Sequence, residues 1–531
     1  MPEPDGPSID KNSPAPIKGD AGDRCGIRAL CSPGRGYRGR MTAPTLLAGY
    51  AAALPELVSP WQPSLPPLRA GQVPRLLLAN DALASELGIG PDWLHTENAL
   101  SVLGARSVLP HSQPVALAYA GHQFGGFSPM LGDGRAVLLG EIRTPAGDLR
   151  DLGLKGSGQT PYSRRGDGRA ALGPVLREYL FGEAMHALGI PTTRALAAVT
   201  TGDLVFRDGT MRQGAVLTRV AASHLRFGTL ELVARSVIPE AREELLRKLV
   251  EYAVARHYPE LTGSSNPAVA LLDSVIEAHA RLVAHWTAVG FLHGVMNTDN
   301  MSISGETIDY GPCAWLEAYD LDTVFSSIDT AGRYRFGYQG PIALWNLSRF
   351  AETLLPLIAE DPNEAVAQAT SLLETFADRH GDALRGLFRT KLALRDAQPG
   401  DAELIDDLLA GMAAARADYT TTWRFLARWL RGIPMLEVPG VQQVWLERWA
   451  ARVPGDPRAA ADAMDYVNPI YVPRNHLVEA ALADAEGGDH TAYDRLLTAV
   501  RAPFDERADW ADLAEPGPAE FTRQHVTYCG T

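Results

Sequence analysis

Between positions 291 and 300 the chain reads Phe-Leu-His-Gly-Val-Met-Asn-Thr-Asp-Asn, which brings one histidine, one carboxylate and two amides into a short run. Further on, Asp309-Tyr310-Gly311 adds a second carboxylate just before a glycine. Oxygen and amide donors at this spacing suit a hard cation such as Mg²⁺ or Mn²⁺, with a nucleotide supplying the remaining ligands. A plain polar hairpin turn is the competing account, and it leaves the run Asn297-Thr298-Asp299-Asn300 unexplained. Lys155 ends an apolar run and precedes Gly156-Ser157-Gly158. An ammonium there can meet a phosphate as a compact charge, although a solvated strand-end lysine is the commoner fate. Arg164-Arg165-Gly166-Asp167-Gly168-Arg169 sets three arginines around a flexible turn, which suits bidentate anion recognition or an ordinary charged surface. Gly125-Gly126 and Gly132-Asp133-Gly134-Arg135 lie between expected strands, where glycines let backbone approach phosphates or simply form turns. Glu178, on an expected helix, can reach back to orient Lys155, and Arg219 and Arg226 flank Ser223-His224.

The protein-kinase catalytic loop, H-R-D-x-x-x-x-N followed by D-F-G, provides a template for the first of these runs. His293 takes the histidine position, Asn300 the metal-binding asparagine position, and Asp309-Tyr310-Gly311 replaces D-F-G. The position of the kinase catalytic aspartate is Val295, which cannot accept a proton. Asp299 is the nearest carboxylate that can replace it. Lys155 with Glu178 matches the strand-lysine and helix-glutamate half of the kinase nucleotide clamp.

The segments 119–125, 131–135, 154–169, 177–179, 219–228, 293–302 and 309–312 together resemble the motifs of the selenoprotein O family of kinase-fold protein adenylyltransferases, which includes the bacterial YdiU-type proteins. The resemblance runs from about Leu46 to the C-terminus, with departures at Gly126 and Met130. It implies transfer of AMP from ATP to Ser, Thr or Tyr hydroxyls of protein substrates, with ATP inverted relative to kinases. On this resemblance Gly132, Gly134, Arg135, Lys155, Asp167, Gly168, Arg219 and Arg226 bind nucleotide. Asn300 and Asp309 hold Mg²⁺ or Mn²⁺, and Asp299 accepts the proton. Two alternatives stay open: a uridylyltransferase using UTP with Mn²⁺, and an inactive nucleotide-binding scaffold. Cys529, third from the end, stands where eukaryotic members resemble one another in carrying selenocysteine, and an oxidised Cys313–Cys529 pair would pin the tail near the site.

The elements that must position these residues follow from local pattern. Short apolar runs at 115–120, 136–142 and 149–154 predict antiparallel strands, and 199–207 with 212–220 predicts a hairpin around Asp208-Gly209. Helices are expected at 74–87, 174–188, 241–257, 268–289, 341–360, 364–380, 402–419 and 419–430. A short hairpin is expected from Met301 to Asp309. Strands followed by helices predict an α+β fold, and the resemblance implies a two-lobed, protein-kinase-like form of it. The expected division is a disordered tail at 1–40, an N-terminal extension at 41–105, a strand-rich lobe with the nucleotide loop at 106–228, a helical lobe with the catalytic and metal loops at 229–430, and a C-terminal extension at 431–531. Met41 opens more ordinary sequence and reads as an alternative translation start.

Composition excludes several classes. With 46% hydrophobic and 21% charged residues the chain is neither fibrous nor wholly disordered. A net charge of −14 disfavours nucleic acid as a partner. The four cysteines (25, 31, 313, 529) are too few and too scattered for a disulfide framework or a zinc ribbon, which favours a reducing, cytoplasmic home. The long uncharged run 107–132 is broken by three prolines, so no membrane partner is expected.

Overall fold

The computed structural model describes residues 43–235, 239–433 and 437–528, so the expected tail at 1–40 and Cys529 lie outside the described residues. The fold is α+β and is built on one large antiparallel sheet. Its strands are β1 (Val58–Pro60), β2 (Arg75–Ala79), β3 (Val115–Leu117), β6 (Ala136–Arg143), β7 (Leu149–Lys155), β8 (Ala170–Ala171), β9 (Arg194–Arg207) and β10 (Thr210–Ala221). They run in the order β1-β3-β6-β7-β10-β9-β2, with β8 on β10. Two small hairpins complete the strands: β4 (Gly121–Gln123) with β5 (Gly126–Ser128), and β11 (Phe291–Leu292) with β12 (Ala314–Trp315).

Alternation along the strands buries both faces of the sheet. Leu138, Ala198 and Leu217 join the core that contains the helix Leu172–Ala187, whereas their neighbours Val137, Leu139, Val199 and Val216 face the N-terminal helices around Trp93 and Leu103. The helix Leu172–Ala187 is buried along nearly its whole length, which holds Arg177 and Glu178 rigidly beneath the sheet. Beyond β10 the described chain is mostly helical, as its periodicity predicts, including Pro267–Val289, Gln339–Ile358 and Tyr419–Leu430.

Three expectations change. The 74–87 segment is not one helix: Arg75–Ala79 pairs with β9 as the edge strand β2, and Asn80 then caps a short helix, Asp81–Glu86, by accepting from the Leu83 N–H. Consecutive leucines satisfy either period, and the open edge of β9 decides between them. The 364–380 helix divides into Pro362–Glu374 and Phe376–Lys391. The chain from Met301 to Asp309 forms no hairpin of its own. It is tied to other segments, with a bridge from Ser302 to Arg226 and another from Thr307 to Thr192.

A buried ion cluster joins the helical part to the chain's C-terminal region. Arg474 is 0% exposed, and its Nη1 donates to Glu317 Oε2 and Asp418 Oδ2, each at 2.7 Å. Its Nη2 donates to Asp418 Oδ1 at 2.9 Å and to the Ala514 carbonyl at 3.1 Å. Arg474→Met is expected to cost about 3–5 kcal/mol, because it strands two carboxylates whose charges the guanidinium compensates. Urea denaturation at neutral pH measures this, and an unchanged midpoint would refute it.

Candidate active site

Lys155 is the last residue of β7, paired with Ala136 of β6 and Leu217 of β10, so its side chain starts from the centre of the sheet. Its ammonium is bound at once by the carboxylates of Glu178 and Asp309. Glu178 also accepts from Arg219 Nη1 at 3.3 Å. Arg219 Nε donates to His224 Nε2 at 3.1 Å, which fixes the tautomer: the proton sits on Nδ1, 3.0 Å from Asp151 Oδ2. Burial, aided by the Arg219 charge, lowers the His224 pKa and keeps the ring neutral. Asp309 is half-buried, which disfavours its charge, but Lys155, Arg219 and Arg135 outweigh that cost and hold its carboxyl well below the usual carboxylate range.

Asp309 has φ +71°, a conformation that costs a residue with a Cβ about 1 kcal/mol. The surroundings enforce it. Tyr310 is buried against Phe181 and Phe291, with its hydroxyl on Thr192. Arg177, next to Glu178, donates from Nε to the Gly311 carbonyl at 3.1 Å and from Nη2 to the Cys313 carbonyl at 2.5 Å. Two adjacent helical residues thus hold the two halves of the site, Glu178 on the lysine and Arg177 on the turn that carries Asp309.

The 293–300 run is anchored on every side. His293 Nε2 donates to the Ile308 carbonyl at 3.0 Å, and Asn346 Nδ2 donates to the Met296 carbonyl at 2.9 Å. Thr298 Oγ donates to Glu231 Oε2 at 2.5 Å and accepts from the His122 N–H at 2.7 Å. Arg226, stacked on Tyr119, donates to the Asp299 carbonyl at 2.8 Å and lies 3.8 Å from Asp133. The Asp299 side chain is 8% exposed as part of its residue; Oδ2 accepts from Gln123 Nε2 at 3.2 Å, and Oδ1 is buried without a partner. Burial outweighs Arg226 and Gln123 and pushes its pKa up to about 6. A carboxylate with one uncommitted oxygen and a raised pKa is suited to take a proton from a hydroxyl. Asn300 commits its Nδ2 to the Val295 carbonyl at 2.9 Å, which leaves its carbonyl oxygen for a cation. Among the described residues no cluster of three His, Cys, Asp or Glu side chains could hold a metal. A cation on Asn300 and Asp309 would therefore complete its shell with phosphate oxygens and water, which suits a nucleotide-borne Mg²⁺ or Mn²⁺.

The glycine turns stack on each other. At Gly132, φ +72°, a Cβ would sit 2.3 Å from Tyr162 Cγ, and at Gly168, φ +67°, it would sit 2.1 Å from the Gly158 oxygen. Thr160 Oγ donates to the Asp133 carbonyl at 2.6 Å, and Ser163 Oγ to that of Gly134 at 2.5 Å. Arg135, Lys155, Glu178 and Tyr310 line a cavity of about 490 Å³ whose far wall is 525–528. Asp167 does not join the lysine cluster: it is bound by Arg207 at 2.7 Å, and Arg207 lines the same cavity. Arg169 pairs with Asp203, and Arg164 donates to the Met130 carbonyl, so two of the three turn arginines make structural contacts.

The profile of the family described as Protein adenylyltransferase SelO matches residues 48–501. The chain belongs to the SelO family. A protein nucleotidyltransferase YdiU from Cereibacter sphaeroides is 55% identical over 465 residues, covering 86% of this chain and 94% of the relative. Proteins of the same name from Methylorubrum populi and Mycolicibacterium smegmatis are 52% and 50% identical, covering 87% and 92% of this chain and 95% and 99% of the relatives. Membership makes this chain a nucleotidyltransferase. No helix among its described residues is long and apolar enough to cross a membrane.

Several residues around this site carry no expectation from the sequence. Arg177 stood in a motif beside Glu178 without an assignment, and Gln123, Asn297 and Glu231 acquire their contacts only across long sequence separations. The adjacent basic and acidic residues 177–178 were the one local signal that could have pointed to Arg177.

Proposed function

We propose that this chain transfers AMP from ATP to Ser, Thr or Tyr hydroxyls of proteins, on a two-lobed, kinase-like scaffold that follows the division into 41–105, 106–228, 229–430 and 431–531. The observation that carries the reading is Lys155 held by Glu178 and Asp309 while Asp299, one residue before Asn300, keeps a buried unpartnered oxygen. Lys155, Arg219 and Arg226 bind the β- and γ-phosphates of an inverted ATP, which leaves the α-phosphate toward the acceptor. Gly132, Gly134 and Arg135 shape the turn beside them, and Asp167 and Gly168 brace it. Asn300 and Asp309 hold Mg²⁺ or Mn²⁺, which supplies charge neutralisation of the phosphates. The acceptor oxygen attacks the α-phosphorus, the bond to the bridging oxygen breaks, pyrophosphate leaves with the electron pair, and Asp299 Oδ1 takes the hydroxyl proton.

Intact-mass spectrometry of acceptor protein incubated separately with ATP and UTP, each with Mg²⁺ or Mn²⁺, tests this. An AMP adduct is expected. A UMP adduct alone would favour the uridylyltransferase, and nucleotide binding without any adduct would favour the inactive scaffold.

The redox reading has its own support. Thr527 Oγ donates to the carbonyl of Pro312, the residue before Cys313, at 2.6 Å, so the last described turn of the chain is tied beside Cys313. Burial pushes the Cys313 thiol up to about 12, which makes it a poor nucleophile and leaves Cys529 as the reactive partner. Dithiothreitol, reducing the bond to two thiols, is expected to raise transfer by the wild type and to leave Cys529→Ala unaffected. A peptide map with both thiols free after oxidation would remove this mechanism.

A further inference from the structure

Among the described residues, two hairpins close with two-residue turns in which both residues have positive φ. In β9–β10 they are Asp208 (+50°) and Gly209 (+77°), and in β4–β5 they are Phe124 (+50°) and Gly125 (+85°). Turns of this hand favour Asn-Gly and Asp-Gly, because a short polar side chain tolerates the left-handed region and glycine has no Cβ to crowd. Asp208-Gly209 follows that rule. Phenylalanine in the same position is a conformational outlier with no local hydrogen bond to offset the crowding. The surroundings hold it there: the Phe124 N–H is shared between Asn297 Oδ1 at 3.1 Å and the Tyr334 hydroxyl at 3.2 Å. The ring meets Tyr334 at a centroid distance of 5.2 Å, yet the residue remains 40% exposed. Neither turn chemistry nor core packing accounts for a phenylalanine here.

The neighbours of this turn supply a reason. Gln123, the residue before Phe124, donates to Asp299 Oδ2, and Asn297, which holds the Phe124 amide, lies two residues before Asp299. Asp299 Oδ1 is buried and unpartnered. A Cβ at Gly125 would lie 3.7 Å from the Arg333 guanidinium, which stacks on Trp345 and has no ion-pair partner among the described residues. Met130, just past β5, is 51% exposed. An exposed aromatic tip and a cation without an ion pair among the described residues thus sit at the turn whose Gln123 holds the Asp299 carboxylate.

We propose that Phe124 is an acceptor-positioning residue. Its ring seats an apolar side chain adjacent to the modified hydroxyl in an extended segment of the protein acceptor, and Arg333 faces an acidic side chain of the same segment. The inference rests on the reading of Asp299 as proton acceptor. The turn carries both functions, since Gln123 aligns the carboxylate and the next residue aligns the chain that brings it a hydroxyl.

The test is Phe124→Asn in the full chain, a change that improves the turn while removing the ring. Its probe is a library of short Ser-, Thr- and Tyr-containing peptides labelled from α-³²P-ATP. Wild type is expected to label peptides enriched in an aromatic or aliphatic residue within two positions of the hydroxyl, and in acidic over basic residues. For such a peptide Phe124→Asn is expected to raise the acceptor KM by about tenfold or more, with the KM for ATP within about twofold and the thermal midpoint equal or higher. Wild-type acceptor kinetics, a lowered midpoint, labelling without apolar enrichment or a library left unlabelled would each overturn it. Asp299→Asn separates the two readings: if it retains transfer while Phe124→Asn loses acceptor affinity, the proton-acceptor role fails and the docking role stands, and the reverse pattern removes the docking role alone.

Discussion

Asp309→Asn is expected to lower nucleotidyl transfer by about 1,000-fold or more, roughly 4 kcal/mol of barrier, in a protein that still folds. Asp309 is the point on which the charges of Lys155, Arg219 and Arg135 converge, and it is one of only two proposed protein ligands for the cation. Without its charge the Lys155 ammonium retains Glu178 alone, and a triphosphate whose cation is loosely held is poorly aligned for in-line attack. Asparagine is the informative replacement because it tolerates the φ of +71° that alanine would hold at additional cost. Single-turnover transfer measured beside the thermal midpoint decides the matter. Near-normal transfer by the folded variant would overturn the assignment of Asp309.

The second large effect is isotopic. With ATP inverted, α-³²P-ATP is expected to label protein fully while γ-³²P-ATP labels none, since the γ-phosphorus departs in pyrophosphate. The two arrangements differ in which phosphate the acceptor meets. Lys155 on a strand and Glu178 on a helix would serve either of them, but the proposed proton acceptor is Asp299, because Val295, which aligns with the kinase base, is buried and apolar. Label from the γ position at a comparable level would mean kinase chemistry and would return the lysine cluster to its ordinary role.

Much of the scaffold was legible because its signals are local. Pro174 near the start and Gly189 just past the end bound a buried helix found at Leu172–Ala187, and Asp208-Gly209 closes the longest hairpin where a tight turn demands such residues. The pairing of Lys155 with Glu178 was also anticipated, because both ends belong to regular elements whose directions follow from their periods. The edge strand β2 was not, since three consecutive leucines suit a helix and a strand equally and only the vacant side of β9 chose the strand. The expected role of Asp167 with the nucleotide meets a carboxylate engaged by Arg207, a residue far along the chain on the tip of a hairpin.

Residue type and short-range spacing determined the fold class, the lysine–glutamate pair and the set of groups able to meet a cation or a triphosphate, because donor atoms, charges and turn preferences belong to residues themselves. The tertiary structure decided what those groups can do. It placed Arg177 on the Gly311 and Cys313 carbonyls, gathered three cations on Asp309, and buried Asp299 with one oxygen uncommitted and its pKa near 6. It also held a phenylalanine in a left-handed turn beside that carboxylate. Desolvation and charge coupling depend on which distant segments close around a group, and that information exists only once the chain has packed.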